Sequence, residues 1–219
     1  MTEAEWLERA DFEFLEDMWG VVCGTSDRKS RLFAVAMCRQ FYGRFRDERS
    51  RTAVEVAERY ADGLATEDER MEAYLASNRP EVRPTAPTHG DEPLRYYAAE
   101  AATSAVMMPP DLYDSHAFAL MALDTVGDDD AWPLAMDLLR DIFGNPFRPV
   151  TFAPEWRTDT AVSLAQQMYE SRDFGAMPIL ADALQDAGCD NEDVLAHCRD
   201  VNQVHVRGCW VLDLVLGKG

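Results

Sequence analysis

The chain has 219 residues, 47% of them hydrophobic and 28% charged, which is ordinary for one large or two small soluble globular domains. Forty acidic residues against 21 basic ones give a formal net charge of −19. Such a surplus repels nucleic-acid phosphates and anionic lipid, so neither nucleic acid nor membrane is expected as a partner.

Met1–Trp6 shows neither the basic region nor the apolar core of a signal peptide, and no apolar run reaches a membrane span. Five cysteines, an odd number spread along the chain, fit free thiols in a reducing cytoplasm better than a disulfide framework.

Thr2-x-x-Glu5 is a capping box that opens a first helix, with Trp6, Leu7 and Ala10 on its apolar side. A helix over Phe12–Trp19 is expected next, stopped by Gly20. Leu32, Phe33, Val35, Ala36, Phe41 and Phe45 recur at helical spacing. Asp47 or Ser50 opens a helix carrying Ala53, Val54, Val56, Ala57, Tyr60 and Ala61, and Gly63 closes it. Thr66-x-x-Glu69 is a second capping box, ahead of a helix with Met71, Tyr74 and Leu75.

Residues 79–93 hold four prolines and read as a linker between an N-terminal lobe, 1–78, and a C-terminal lobe, 94–219. Helices over Leu94–Met108 and Tyr113–Val126 follow, and Asp128-Asp129-Asp130 reads as a turn and N-cap. Trp132–Phe143 is a helix with Pro133 in its first turn and Gly144 at its end. Thr158 or Asp159 begins a helix through Met168, Met177–Leu184 is closed by Gly188, and Asp190 caps a short helix over Val194–Cys198. An apolar helix follows Gly208. Sustained two-residue alternation is absent, so the expected fold is all-α, an irregular helical bundle or stacked helix pairs without a β-sheet.

The stretch from Asp173 onward gathers three of the five cysteines and two of the four histidines. Thiolate and imidazole are the ligands of zinc and similar soft metals, and a closed site takes four. Cys189, His197, Cys198, His205 and Cys209 are the candidates. His197 and Cys198 are adjacent and on a helix point about 100° apart, so only one of them faces a shared metal. The plainer reading makes the cysteines small core hydrophobes and the histidines local pairing groups, with Asp193 beside His197. A second constellation puts eight of the 21 basic residues between Arg28 and Arg51. Arg28, Lys29, Arg31, Arg39, Arg44 and Arg46 are candidates for docking an acidic protein partner or a phosphate-bearing ligand, unless neighbouring carboxylates neutralise them within the fold.

Asp114-Ser115-His116 lacks the strained turn of a nucleophilic serine. No phosphate loop, dinucleotide motif or H-E-x-x-H helix is present, and Asp128–Asp130 lacks the spacing of a calcium loop. The expectation is a non-enzymatic helical protein-interaction or regulatory module of the cytoplasm without a cofactor, and the alternative is a zinc-binding protein using the C-terminal cysteines and histidines.

Several motifs also resemble an uncharacterised bacterial protein family. At the N-terminal end they are Ser26-Asp-Arg-Lys-Ser-Arg-Leu-Phe33, Cys38-Arg39 and Asp47-Glu-Arg-Ser-Arg51. At the C-terminal end they are Asn145-Pro-Phe-Arg-Pro-Val150, Pro178–Leu184, Ala187-Gly-Cys189, Leu195–Arg199 and His205–Trp210. The resemblance implies a bacterial, intracellular protein and brings no assigned activity. That family usually carries two adjacent cysteines where this chain has Met37-Cys38, a departure that weakens the case for an N-terminal pair of thiol ligands.

Overall fold

A computed structural model of the protein describes residues 2–11, 14, 26–82, 92–107, 121 and 131–218. Its described residues form ten α-helices and two short 3-10 turns, with no strand. The helices are α1 (Glu3–Glu8), α2 (Asp27–Gln40), α3 (Glu48–Ala61), α4 (Glu67–Ser77), α5 (Glu92–Val106), α6 (Ala131–Phe143), α7 (Asp159–Ser171), α8 (Met177–Asp186), α9 (Glu192–Arg199) and α10 (Trp210–Leu216). The all-α expectation is met. No described helix is long and apolar enough to cross a membrane. The expected helices over Phe12–Trp19 and Tyr113–Val126, the Asp114–His116 and Asp128–Asp130 motifs and most of the proline-rich stretch lie outside the described residues.

The chain divides into two compact units, one made of Ala10–Met136 and the other of Met1–Arg9 with Asp137–Gly219. This differs from a boundary at 79–93. Helix α5 packs against α2, α3 and α4, so both sides of the proline-rich stretch share one unit.

In that first unit the caps follow the sequence. Ser26, Asp47 and Thr66 each accept a backbone N–H of the first turn, and Thr66 with Glu69 closes the expected capping box. Leu32, Phe33 and Val35 of α2 and Ala53, Val54 and Ala57 of α3 are buried. The inward face of α4 is not its apolar one. Met71 and Leu75 are exposed, and Arg70, Ala73 and Ser77 face inward. The reason lies at the end of α5. Arg31 donates to the carbonyls of Ala105 and Met107 at 2.7 and 3.0 Å, and Arg70 to that of Val106 at 2.8 Å. These carbonyls have no partner within the helix, and two guanidinium groups complement the negative end of its dipole. The requirement for arginine there sets which face of α4 turns inward.

The second unit has an apolar cluster built from Trp156, Met168, Tyr169, Met177, Leu180, Leu184, Val194, Val211, Leu212 and Val215 among others. Thr2 and Glu5 form the first capping box as expected, but Leu7 is exposed and Trp6 alone carries the burial of α1. Arg140 holds α1 to α6 by donating to the carbonyls of Trp6 and Arg9 at 2.9 and 2.8 Å. Thr158 caps α7. The cap of α9 is Asn191 rather than Asp190, because the Asn191 side chain accepts from Val194 N–H at 3.0 Å. Gly144 ends α6 with φ +71°, where a Cβ would stand 3.1 Å from Trp210 Cγ, so this stop needs both left-handed backbone and an absent side chain.

Candidate metal centre

Helix α6 brings an acid into the core. Its apolar stripe contains Leu138, Leu139 and Ile142, all fully buried, and Asp141 sits among them at 0% exposure. A carboxylate there requires partners, because an isolated buried charge is expensive. His205 Nδ1 lies 2.9 Å and His197 Nε2 3.2 Å from Asp141 Oδ1, while Val206 N–H donates to Oδ2 at 2.9 Å. Cys209 Sγ is 3.2 Å from His197 Nε2 and 4.0 Å from His205 Nδ1. One donor atom from each of Asp141, His197, His205 and Cys209 therefore lies within 4.8 Å of the other three.

Each side chain arrives by a different local device. His197 occupies the last turn of α9. His205 stands in the non-helical link between α9 and α10, and Cys209 is the N-cap of α10. The link is pinned at both ends, by Val206 N–H on Asp141 and by Cys209 N–H on the Val206 carbonyl at 3.0 Å. A turn therefore brings His205 and Cys209, four residues apart, to the same place. The rings of His197 and His205 meet edge to face at 4.9 Å, and Trp210 covers His197 at 5.1 Å. His205 Nε2 is buried without a hydrogen-bond partner. His205 also lines a cavity of ≈ 270 Å³ with Phe174, Met177, Pro178, Val201 and Gln203.

Of the five residues expected from the sequence, three come together. As expected for neighbours, His197 and Cys198 face apart, and the histidine takes the cluster. Cys198 and Cys189 are buried in the core outside the four-residue group. Asp141 has no sequence proximity to the other three, and its one signal is an acid at a core position of an amphipathic helix. Burial opposes the charge of Asp141, but the hydrogen bonds and fields of His197 and His205 outweigh it, and its pKa falls below the ordinary carboxylate value. Burial, and then the charge of Asp141, pushes the Cys209 thiol well up. Burial raises Cys198 to about 12. These thiols are protonated at neutral pH, the opposite of an activated nucleophile.

The arginine-rich segment is mostly engaged within the fold. Arg28 binds Asp62 at 3.0 Å, Arg39 binds Glu58 at 2.7 Å, and Arg31 is buried on the end of α5. Lys29 is half-buried. Arg44 and Arg46 are exposed.

Comparison of the chain with protein-family models, with curated proteins and with solved structures finds no match.

Proposed function

We propose that the chain binds one divalent transition metal, zinc foremost, through Asp141, His197, His205 and Cys209, as the structural centre of a non-enzymatic helical module. The observation that carries this reading is the convergence of four metal-type donors from three separate segments in a buried place. With zinc bonds of about 2.0–2.3 Å, a tetrahedron of ligands has edges of about 3.3–3.8 Å. Four of the six donor–donor distances are 2.9, 3.2, 3.2 and 4.0 Å and all six lie within 4.8 Å, so side-chain shifts of about an ångström bring the donors into that range.

Charge supports the same reading. Among the described residues Asp141 has no arginine or lysine partner, and its side-chain contacts are with the two histidines. One carboxylate and one thiolate cancel a dication, which makes the filled site neutral in a low-dielectric interior. The cation also supplies what the thiol lacks alone, since coordination deprotonates cysteine outright. His205 binds through Nδ1, which places its proton on Nε2. Four protein donors fill a tetrahedral shell and leave no position for substrate water, which makes the centre structural rather than catalytic.

The test is metal analysis of tag-free protein, followed by removal with chelator and titration with zinc. One equivalent per chain, with affinity well beyond that of surface carboxylates, is expected. A chain that takes up no stoichiometric metal after chelation and reloading overturns the proposal.

A further inference from the structure

The arginine segment has two members that the fold does not use. Arg39, Arg49 and Arg51 all hold carboxylates, at 2.7, 2.8 and 2.9 Å. Arg44 and Arg46, between them in sequence, make no ion pair or side-chain hydrogen bond among the described residues. Both line a cavity of ≈ 220 Å³ whose other walls include Phe45, Asp47, Ser50 and Glu81.

We infer that this cavity binds a phosphate group carried on a small hydroxylated molecule. Three observations converge on that chemistry. Arg44 and Arg46 both line one hollow, and guanidinium forks match the paired oxygens of a phosphate. Ser50, 2% exposed, lines the hollow, and its hydroxyl makes no hydrogen bond among the described residues. The hollow also lies at the positive end of α3, a 14-residue helix whose N-cap is Asp47. Asp47 does not oppose an anion at full strength, because both its oxygens are held by Arg49 at 2.9 and 2.8 Å. The local balance is positive on a chain of net charge −19, so an anion meets an isolated attractive spot. Glu81 is the remaining carboxylate, and it selects the rest of the ligand by accepting from a hydroxyl beside the phosphate.

The test is calorimetric titration of the full chain with inorganic phosphate and with glycerol 3-phosphate at low ionic strength. The Arg44→Gln/Arg46→Gln variant is compared with Arg59→Gln/Arg148→Gln, which removes the same charge elsewhere. Circular dichroism and thermal midpoints verify that both fold, as expected for side chains that reach solvent. The wild type is expected to bind one glycerol 3-phosphate, more tightly than inorganic phosphate. The Arg44/Arg46 variant is expected to lose at least about tenfold, with the charge-matched control within about twofold. Ser50→Ala is expected to weaken binding several-fold. No saturable binding by about 10 mM, a concentration at which even weak ion contacts register, overturns the inference. So does an equal loss in both double variants, which marks diffuse charge attraction. Preference for inorganic phosphate overturns the assignment of a hydroxylated ester.

Discussion

Replacing Asp141 with asparagine probes the metal centre most directly, because the change is one of charge and proton count at nearly constant shape. The carboxylate accepts from His205, His197 and Val206 at 2.9, 3.2 and 2.9 Å and is completely buried. An amide offers one acceptor oxygen where the carboxylate offers two, and its NH₂ meets either the imidazoles or the Val206 N–H as a donor facing a donor. Leaving buried hydrogen-bonding groups without a proper partner costs about 1–3 kcal/mol, and that is the expected loss in metal-free protein. In zinc-loaded protein a further loss follows. Removing an outer partner of a ligand costs about 10–100-fold in metal affinity, and Asp141 is itself a ligand, so the loss is expected to exceed this range. The assay is zinc competition against a chromogenic chelator, with unfolding followed by circular dichroism with and without EDTA. Zinc at a hundred times its dissociation constant adds about 2.7 kcal/mol, or roughly 5–11 °C in a chain of this size. The wild type should show that EDTA-sensitive shift and Asp141→Asn should not. An Asp141→Asn protein that binds zinc as tightly as the wild type refutes the reasoning.

Other expectations follow from the same geometry. Cys209→Ser, His197→Ala and His205→Ala each abolish stoichiometric zinc, whereas Cys189→Ser and Cys198→Ser keep it while losing about 1–3 kcal/mol of stability for burying a hydroxyl, as metal analysis and urea unfolding will show. Gly144→Ala combines a positive φ with a Cβ placed 3.1 Å from Trp210 Cγ, so a loss of about 2–3 kcal/mol is expected in urea, together with weaker zinc binding because Trp210 covers His197. Because the free Cys209 thiol is protonated at neutral pH, zinc binding must release that proton, and affinity falls as pH falls by about tenfold per unit from this group alone. Calorimetry in two buffers of different ionisation enthalpy measures the release, and a pH-independent affinity between about pH 6 and 8 contradicts the role given to Cys209.

Much of the helical layout is readable because its signals are local. The capping boxes at Thr2 and Thr66 and the helix stop at Gly144 depend on residues three or four apart, and each stands where those spacings place it. Asp141 and the inward face of α4 were not readable from spacing. Asp141 pairs with His205 across 64 residues of chain, and no periodicity reports such a contact. Met71 and Leu75 look like core residues by type, but Arg70 is required at the end of α5, and the helix has one inward face to give. In both places a polar requirement overrode the hydrophobic pattern. An acid or arginine at a core register is therefore a better pointer to a partner than another leucine is to the core.

The positions of the four donors suggest why such a centre would sit where it does. The second unit draws on two distant parts of the sequence, Met1–Arg9 and Asp137–Gly219, and its described cysteines are free thiols. Helices α8 and α9 pack together along the chain, while α9 and α10 are joined through the non-helical link that carries His205. A link of this kind spends backbone entropy without the hydrogen-bond ladder of a helix. Asp141 restrains it from α6, His197 from α9 and Cys209 from α10, so one cation would fix three helices and the link at a single point. The free energy of binding then becomes free energy of folding for this unit. Removing zinc should loosen the 200–209 link before the α7–α8 core, and hydrogen exchange with and without chelator orders the two. If exchange rises first in α7, around Ala165 and Met168, the metal is not what holds the link.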